Sequence, residues 1–254
     1  MLRTRVMPCL LLQGRGLVKT VKFKNGRYVG DPINAVRIFN QKEVDELVLF
    51  DINCTTEAGS INYSLLEQLT SECFMPVCYG GGVKTLEDFR RLFSMGIEKV
   101  SVSSLLFDNP EVVTKAVAIY GSQSIIATLD IKLSKYRKKY QVCTHSSKQK
   151  RKYTPVEAAK YACSLGVGEV IINTIHRDGT WSGFDQVLIK QICQNVDVPV
   201  VAAGGAGTLD DIKDVVVNAN ASAVALGSMA VFQAKDMGVL IKFPKQTELT
   251  KILP

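Results

Sequence analysis

The sequence predicts a single (β/α)8 barrel of the TIM type made of two repeated (β/α)4 halves, and three observations carry that prediction. Short β-rich apolar runs alternate with amphipathic stretches from end to end, as strand-helix units around a parallel sheet do. Eight such units fit into 254 residues, a usual length for one such barrel. The chain also repeats itself. Pro76-Val77-Cys78-Tyr79-Gly80-Gly81-Gly82-Val83-Lys84-Thr85-Leu86-Glu87-Asp88 returns, altered, from Pro199 to Asp211 at an offset of 199 − 76 = 123 residues, with seven of thirteen positions identical. A repeat of half the chain length points to two related halves, about 1–120 and 121–240, and two four-unit halves close a ring symmetrically. A doubly wound open sheet is the alternative.

Taken in order, the strands are expected at 5–12, 46–52, 76–80, 99–103, 124–130, 169–174, 199–203 and 223–227. The helices are expected at 32–43, 61–73, 85–95, 109–119, 154–165, 184–194, 208–218 and, weakly, near 236–242. Each copy of the repeat reads as a buried strand, a glycine turn and a helix opened by Thr with an acid nearby. A glycine turn leading into a helix suits an anion. In such a barrel the chemistry sits at the C-terminal ends of the strands. These ends are Leu11, Asp51, Gly80–Gly82, Ser103–Ser104, Asp130, 173–178, 203–205 and 227–228. Two long loops at that face, 13–31 and 131–153, read as lids.

Composition narrows the partners. The net charge of +7 favours anionic ligands such as phosphates without singling out nucleic acid. Much of the excess lies in 132–152, near Tyr136, Tyr140 and Tyr153; with no RNA-binding motif beside it, this patch reads as a solvated loop, and no nucleic acid partner is expected. Seven cysteines lack C-x-x-C spacing and sit mostly in apolar runs, which reads as reduced thiols in a cytoplasmic protein. Only His145 and His176 are available as imidazole ligands, so no metal or cofactor is expected. Arg3 and Arg5 precede an apolar run too short for a signal peptide, and 215–232 divides into a helix end and a strand rather than a membrane span.

The motifs Gly30-Asp31-Pro32, Asp45-Glu46-Leu47, Gly80-Gly81-Gly82, Glu98-Lys99-Val100-Ser101, Arg177-Asp178-Gly179-Thr180 and Gly204-Gly205-Ala206-Gly207, in this order along nearly the whole chain, resemble the cyclase subunit of imidazole glycerol phosphate synthase. The resemblance implies a two-fold repeated barrel with a glutaminase subunit on its N-terminal face, whose ammonia passes through the barrel to a bisphosphorylated substrate. It places phosphate contacts on Gly82, Ser103 and Ser104 in one half and on Asp178, Gly179, Gly205 and Ser228 in the other. It places an ammonia gate on Arg5, Glu46, Lys99 and Glu169, where two acids and two bases could equally form a sealing salt-bridge plug. Of the family's two inward carboxylates, Asp130 is present, but Leu11 stands where the family has Asp. Lys19 matches the family's loop lysine, Ser103-Ser104 replace Asn-Thr, and His176 replaces an acid. This pattern resembles a divergent branch encoded with surface-polysaccharide genes. That likeness implies a barrel that chiefly conducts ammonia to a sugar amidotransferase. The open alternative is an active cyclase of histidine biosynthesis, in which Asp130 and Lys19 would be the catalytic side chains.

Overall fold

A computed structural model describes residues 4–54, 59–134 and 139–253. Arg3 and Tyr136 lie outside them. Eight parallel strands form a closed ring: β1 (Arg5–Gln13), β2 (Leu47–Asp51), β3 (Val77–Gly80), β4 (Lys99–Val102), β5 (Ile125–Leu133), β6 (Glu169–Thr174), β7 (Val200–Ala203) and β8 (Ala223–Leu226). Each pairs with the next, β8 pairs with β1 from Arg5↔Ala223 to Pro8↔Leu226, and β5 pairs with β6 over six residues. The expected strands are all present, within one residue of their ends except β5, which runs three residues further, to Leu133.

The strand period sorts side chains to two sides. One alternate set meets the surrounding helices in a large apolar layer that includes Leu10, Leu12, Phe39, Leu49 and Phe89. The other set fills the barrel: Met7, Val48, Cys78, Ile126, Ile171, Val201, Ala223 and Ala225, with Cys9 and Phe50 packed against them. The outer ring comprises α1 (Pro32–Gln41), α2 (Tyr63–Glu72), α3 (Leu86–Ser94), α4 (Pro110–Tyr120), α5 (Pro155–Ser164), α6 (Gln186–Cys193), α7 (Leu209–Ala219) and α8 (Gln246–Ile252). Asp31 caps α1 by accepting from the Asn34 amide at 2.9 Å. The repeat reaches down to the caps: Thr85 with Asp88 at α3, and Thr208 with Asp211 at α7, form the same reciprocal box.

The helix expected near 236–242 is not there. Asp236 takes a left-handed φ of 61°, Phe232 bridges to Val239, and Gly238 and Pro244 interrupt the run, so α8 starts only after Pro244. The two long loops are not irregular either. The first contains the antiparallel strands Gly16–Val21 and Lys24–Gly30, paired onto the end of β1. The second contains Tyr140–Thr144, which pairs antiparallel with β5 and puts Cys143 opposite Asp130, and the short strand Gln149–Lys150. Among the described residues no helix is long and apolar enough to cross a membrane, and no cluster of side chains could hold a metal ion.

Candidate functional site

At the base of the barrel, Arg5, Lys99 and Glu169 open β1, β4 and β6, and Glu46 directly precedes β2, so all four side chains turn inward. The Arg5 guanidinium donates to Glu46 at 2.6 Å and to Glu169, and the Lys99 ammonium donates to Glu46 at 2.7 Å and Glu169 at 3.2 Å. Each cation touches both acids, so the four charges form a closed ring. Glu46 and Glu169 are buried, and each carboxylate has the two cationic partners that burial demands. Burial pulls the Arg5 pKa down, but Glu169 and Glu46 outweigh it and the net direction is up.

Above the ring lies the apolar filling, and above that the hydroxyls of Ser101 and Thr128 meet at 2.6 Å. These hydroxyls floor a cavity of about 930 Å³, counting its open mouth, at the C-terminal ends of the strands. Leu11, Phe50, Gly81, Gly82, Ser103, Ser104, Asp130 and Asn173 line it. Leu11 is thus inside the site, where a carboxylate would have faced Asp130. Asp130 accepts from Asn173 Nδ2 at 3.2 Å. Burial pushes its carboxyl up to about 7, Asn173 opposes this and Asp178 adds to it. The neighbouring Cys9 thiol is pushed up to about 12 by burial and stays protonated.

The Asp130 shift has a sign that can be tested. An acid whose folded pKa lies above its usual value near 4 costs stability once it ionises. Its contribution is intact at low pH and is lost as pH rises from about 4 to about 7. Asp130→Asn, which keeps an acceptor for Asn173, is expected to stabilise the protein progressively over that window and by a constant amount above it. Thermal denaturation across pH checks this, and a difference independent of pH would refute it.

The residues expected around two anion sites fall on two sides of this face. On the first side, Gly82 has φ +72°, and a Cβ there would lie 2.6 Å from the Cys54 Cβ, so the loop needs glycine to come this close. Ser103 Oγ is buried without a hydrogen-bond partner, an uncommon and costly state for a hydroxyl unless a ligand completes it. On the second side, a Cβ on Gly205 would sit 2.1 Å from the Gly183 oxygen. Ser228 is buried just beyond β8.

Three expectations need correction. The N-termini of α3 and α7 are not open to an anion, because Asp88 takes the amides of Lys84 and Thr85, and Asp211 takes those of Gly207 and Thr208. Asp178 offers an anion no donor: its carboxylate chelates Lys19 at 2.8 and 2.9 Å, and its amide bonds to Thr174. Lys19 itself is buried and does not line the cavity; its stem lies against Gly227, on the second side beside Gly179 and Ser228. His176 is likewise turned away, with Nε2 at 3.0 Å from Asp185, which also accepts from Tyr140. It ties the second hairpin to the loop after β6. Sequence reasoning passed over His145 and Ser146, which line the cavity from the tip of that hairpin; only the length of the loop pointed to them.

The comparisons with known proteins agree with this architecture. The family described as "Histidine biosynthesis protein" matches residues 5–235. A protein of Pseudomonas aeruginosa named "Putative imidazole glycerol phosphate synthase subunit hisF2" is 46% identical over 249 residues, spanning 98% of this chain and 99% of that one. One of Leptospira borgpetersenii, named "Putative imidazole glycerol phosphate synthase subunit HisF", is 42% identical over the full length of both. The "Imidazole glycerol phosphate synthase subunit HisF" of Leptospira biflexa is 32% identical over 251 residues, spanning 95% and 98%.

Proposed function

Because the chain belongs to the histidine biosynthesis protein family, among its HisF-like members, we propose that it conducts ammonia. A glutaminase docked on the N-terminal face supplies the ammonia, which crosses the barrel and reaches a phosphorylated small molecule held at the C-terminal face. The final acceptor in this reading is a sugar amidotransferase that forms an acetamidino group in surface-polysaccharide synthesis. The observation that carries the reading is the contrast between the two ends. The ring of Arg5, Glu46, Lys99 and Glu169 is complete, whereas the cavity above it has Leu11 in place of one inward carboxylate. A layer of apolar side chains separates them. Neutral ammonia crosses such a layer easily, while burying ammonium there costs several kcal/mol.

The second reading, an active ring-closing cyclase, draws on Asp130. A carboxyl with a pKa of about 7 is half ionised near neutrality, so this one group is available as either acid or base in different steps. It still has no partner of opposite protonation state in the position that Leu11 fills.

The partner is tested by co-purification with a glutaminase encoded nearby, with glutaminase activity measured with and without the barrel. An increase in rate on association is expected; no association at micromolar concentration and no change in rate would reject the proposal. Phe74 offers a sharper probe. It lies on the N-terminal face, just ahead of β3, and is 88% exposed, with its amide tied to Asn40 at 3.1 Å. An aromatic side chain presented in this way is a typical interface anchor, worth about 2 kcal/mol or more. Phe74→Ala is expected to weaken the glutaminase complex at least roughly tenfold without changing the barrel's melting temperature. Isothermal titration calorimetry reads the affinity and a thermal scan the melting temperature, and undiminished affinity would remove Phe74 from the interface.

A further inference from the structure

Among the described residues, the cavity wall contains no lysine or arginine. Its charged and titratable side chains are Asp51, Asp130 and His145. Asp51 is committed to the amides of Asn53 and Cys54 at 3.0 and 3.2 Å. Among the described lining residues, a doubly charged group placed against Gly82, Ser103 and Ser104 meets one basic side chain, His145. On the other side of the face the buried Lys19 lies against Gly227 but is chelated by Asp178.

His145 is held at the cavity by the hairpin turn. Residues His145, Ser146 and Ser147 all take left-handed backbone angles, with φ of 54°, 53° and 69°. Three consecutive non-glycine residues in that region are unfavourable, at roughly 1–2 kcal/mol each, and such strain persists only where surrounding contacts enforce it. Those contacts are present. The His145 Nδ1 lies 3.1 Å from Thr144 Oγ1, which is fully buried and also accepts from Arg151 Nε at 2.9 Å. Arg151 pairs with Asp108 at 2.6 Å, and the other Asp108 oxygen is 3.8 Å from His145 Nε2. The Lys148 amide donates to the His145 carbonyl at 3.1 Å. Asp108 and Arg151 neutralise one another, leaving the imidazole as the basic group of this turn that faces the cavity. The same turn brings Ser146 into the wall of a site that already contains the unpartnered Ser103 Oγ.

We propose that His145 is the cationic lid of the first anion site and that the hairpin turn carrying it closes on a phosphoryl-type dianion together with Ser103, Ser104 and Ser146. The inference rests on the reading of the cavity as the seat of a phosphorylated ligand and adds how one end of that ligand is recognised. The two ends are then held differently: the first meets an imidazole, the side-chain type whose charge changes most readily in the physiological range, whereas at the second Asp178 already chelates Lys19. Release of the first end becomes easier as pH rises.

The test uses sulfate, whose charge does not change between about pH 5 and 8, the range in which imidazoles titrate. The chain has two histidines, so proton NMR resolves both imidazoles and His145→Asn assigns them. Asparagine tolerates the left-handed backbone, so the turn survives. Saturating sulfate is expected to move the His145 titration midpoint up by about one pH unit, equivalent by linkage to roughly tenfold tighter binding to the charged form, and to leave His176 where it is. His145→Asn is expected to weaken sulfate roughly tenfold at low pH and to remove the imidazole's share of the pH dependence, by the same linkage, leaving the part that comes from Asp130. If sulfate shifts the amide resonances of Gly82 and Ser104 while the His145 titration and the His145→Asn affinity are unchanged, the lid is wrong and the anion site stands. If those amides do not respond, the anion site falls and the lid with it.

Discussion

Leu11→Asp is expected to raise ammonia-dependent ring closure on the bisphosphorylated substrate by about 10²- to 10⁴-fold over the wild type, the usual yield of one well-placed acid-base group. Leu11 pairs with Phe50 on β2 and shares the cavity wall with Asp130. A carboxylate at position 11 would restore a pair in which one member is neutral while the other is ionised, because two nearby acids push their pKa values apart. Asp130 starts that separation from about 7 and would be driven higher. The wild type, with one group to do both jobs, is expected to turn over slowly or not at all even with ample ammonia. A wild-type rate on the order of 1 s⁻¹ or more would overturn ammonia conduction as the main role. No gain in Leu11→Asp would place the defect elsewhere.

The other large effect is at the base. Arg5→Met leaves two buried carboxylates, Glu46 and Glu169, to share Lys99. Removing one partner from a buried ion cluster typically costs about 3–5 kcal/mol. Arg5 retains some solvent contact, its side chain being 30% exposed, which places the cost toward the lower end. For a chain of this size the melting temperature should fall on the order of 10 °C. The loss has a pH signature. An under-paired carboxylate takes up a proton more readily, so the variant's deficit should shrink as pH falls toward about 5 and grow as pH rises. Denaturation of both proteins across pH reads this, and an unchanged melting temperature would mean the ring contributes nothing to stability. Replacing all four residues with apolar ones of similar volume avoids stranded charges, so the fold should survive while the polar entrance disappears. That variant separates the ring's role in conduction from its role in holding the barrel together.

The barrel was legible because its strands are short, β-branched and bounded by turn residues, and because the repeat fixed their spacing. The charge ring was legible for a related reason: Arg5, Lys99 and Glu169 open strands and Glu46 adjoins one, so register alone brings them together. The first hairpin was not legible. The obvious turn signal, Asn25-Gly26, is not where the chain reverses. The turn is at Lys22-Phe23, both with positive φ, a conformation that ordinary residues adopt only under tertiary constraint. The constraint lies 156 residues away, where the Lys22 amide donates to the Asp178 carbonyl at 2.9 Å (178 − 22 = 156). Within the site, the pairing of Lys19 with Asp178 and the turning-away of His176 were out of reach for the same reason. The first depends on a loop from one half meeting a loop from the other, the second on Asp185 and Tyr140, which lie apart from His176 in the sequence within the same half.

That crossing of loops limits what the repeat permits. By the 123-residue offset the counterpart of Asp178 is Thr55 (178 − 123 = 55), and the counterpart of Lys19 is Val142 (19 + 123 = 142). A symmetric protein assembled from two copies of the first half would carry two such lysines and no matching acid. One assembled from two copies of the second would carry two such acids and no lysine. Either leaves a buried charge stranded, at several kcal/mol per site. The halves share a repeated framework but are complementary at this point, like two strands of a clasp, and only the hetero-pairing of first with second half satisfies both.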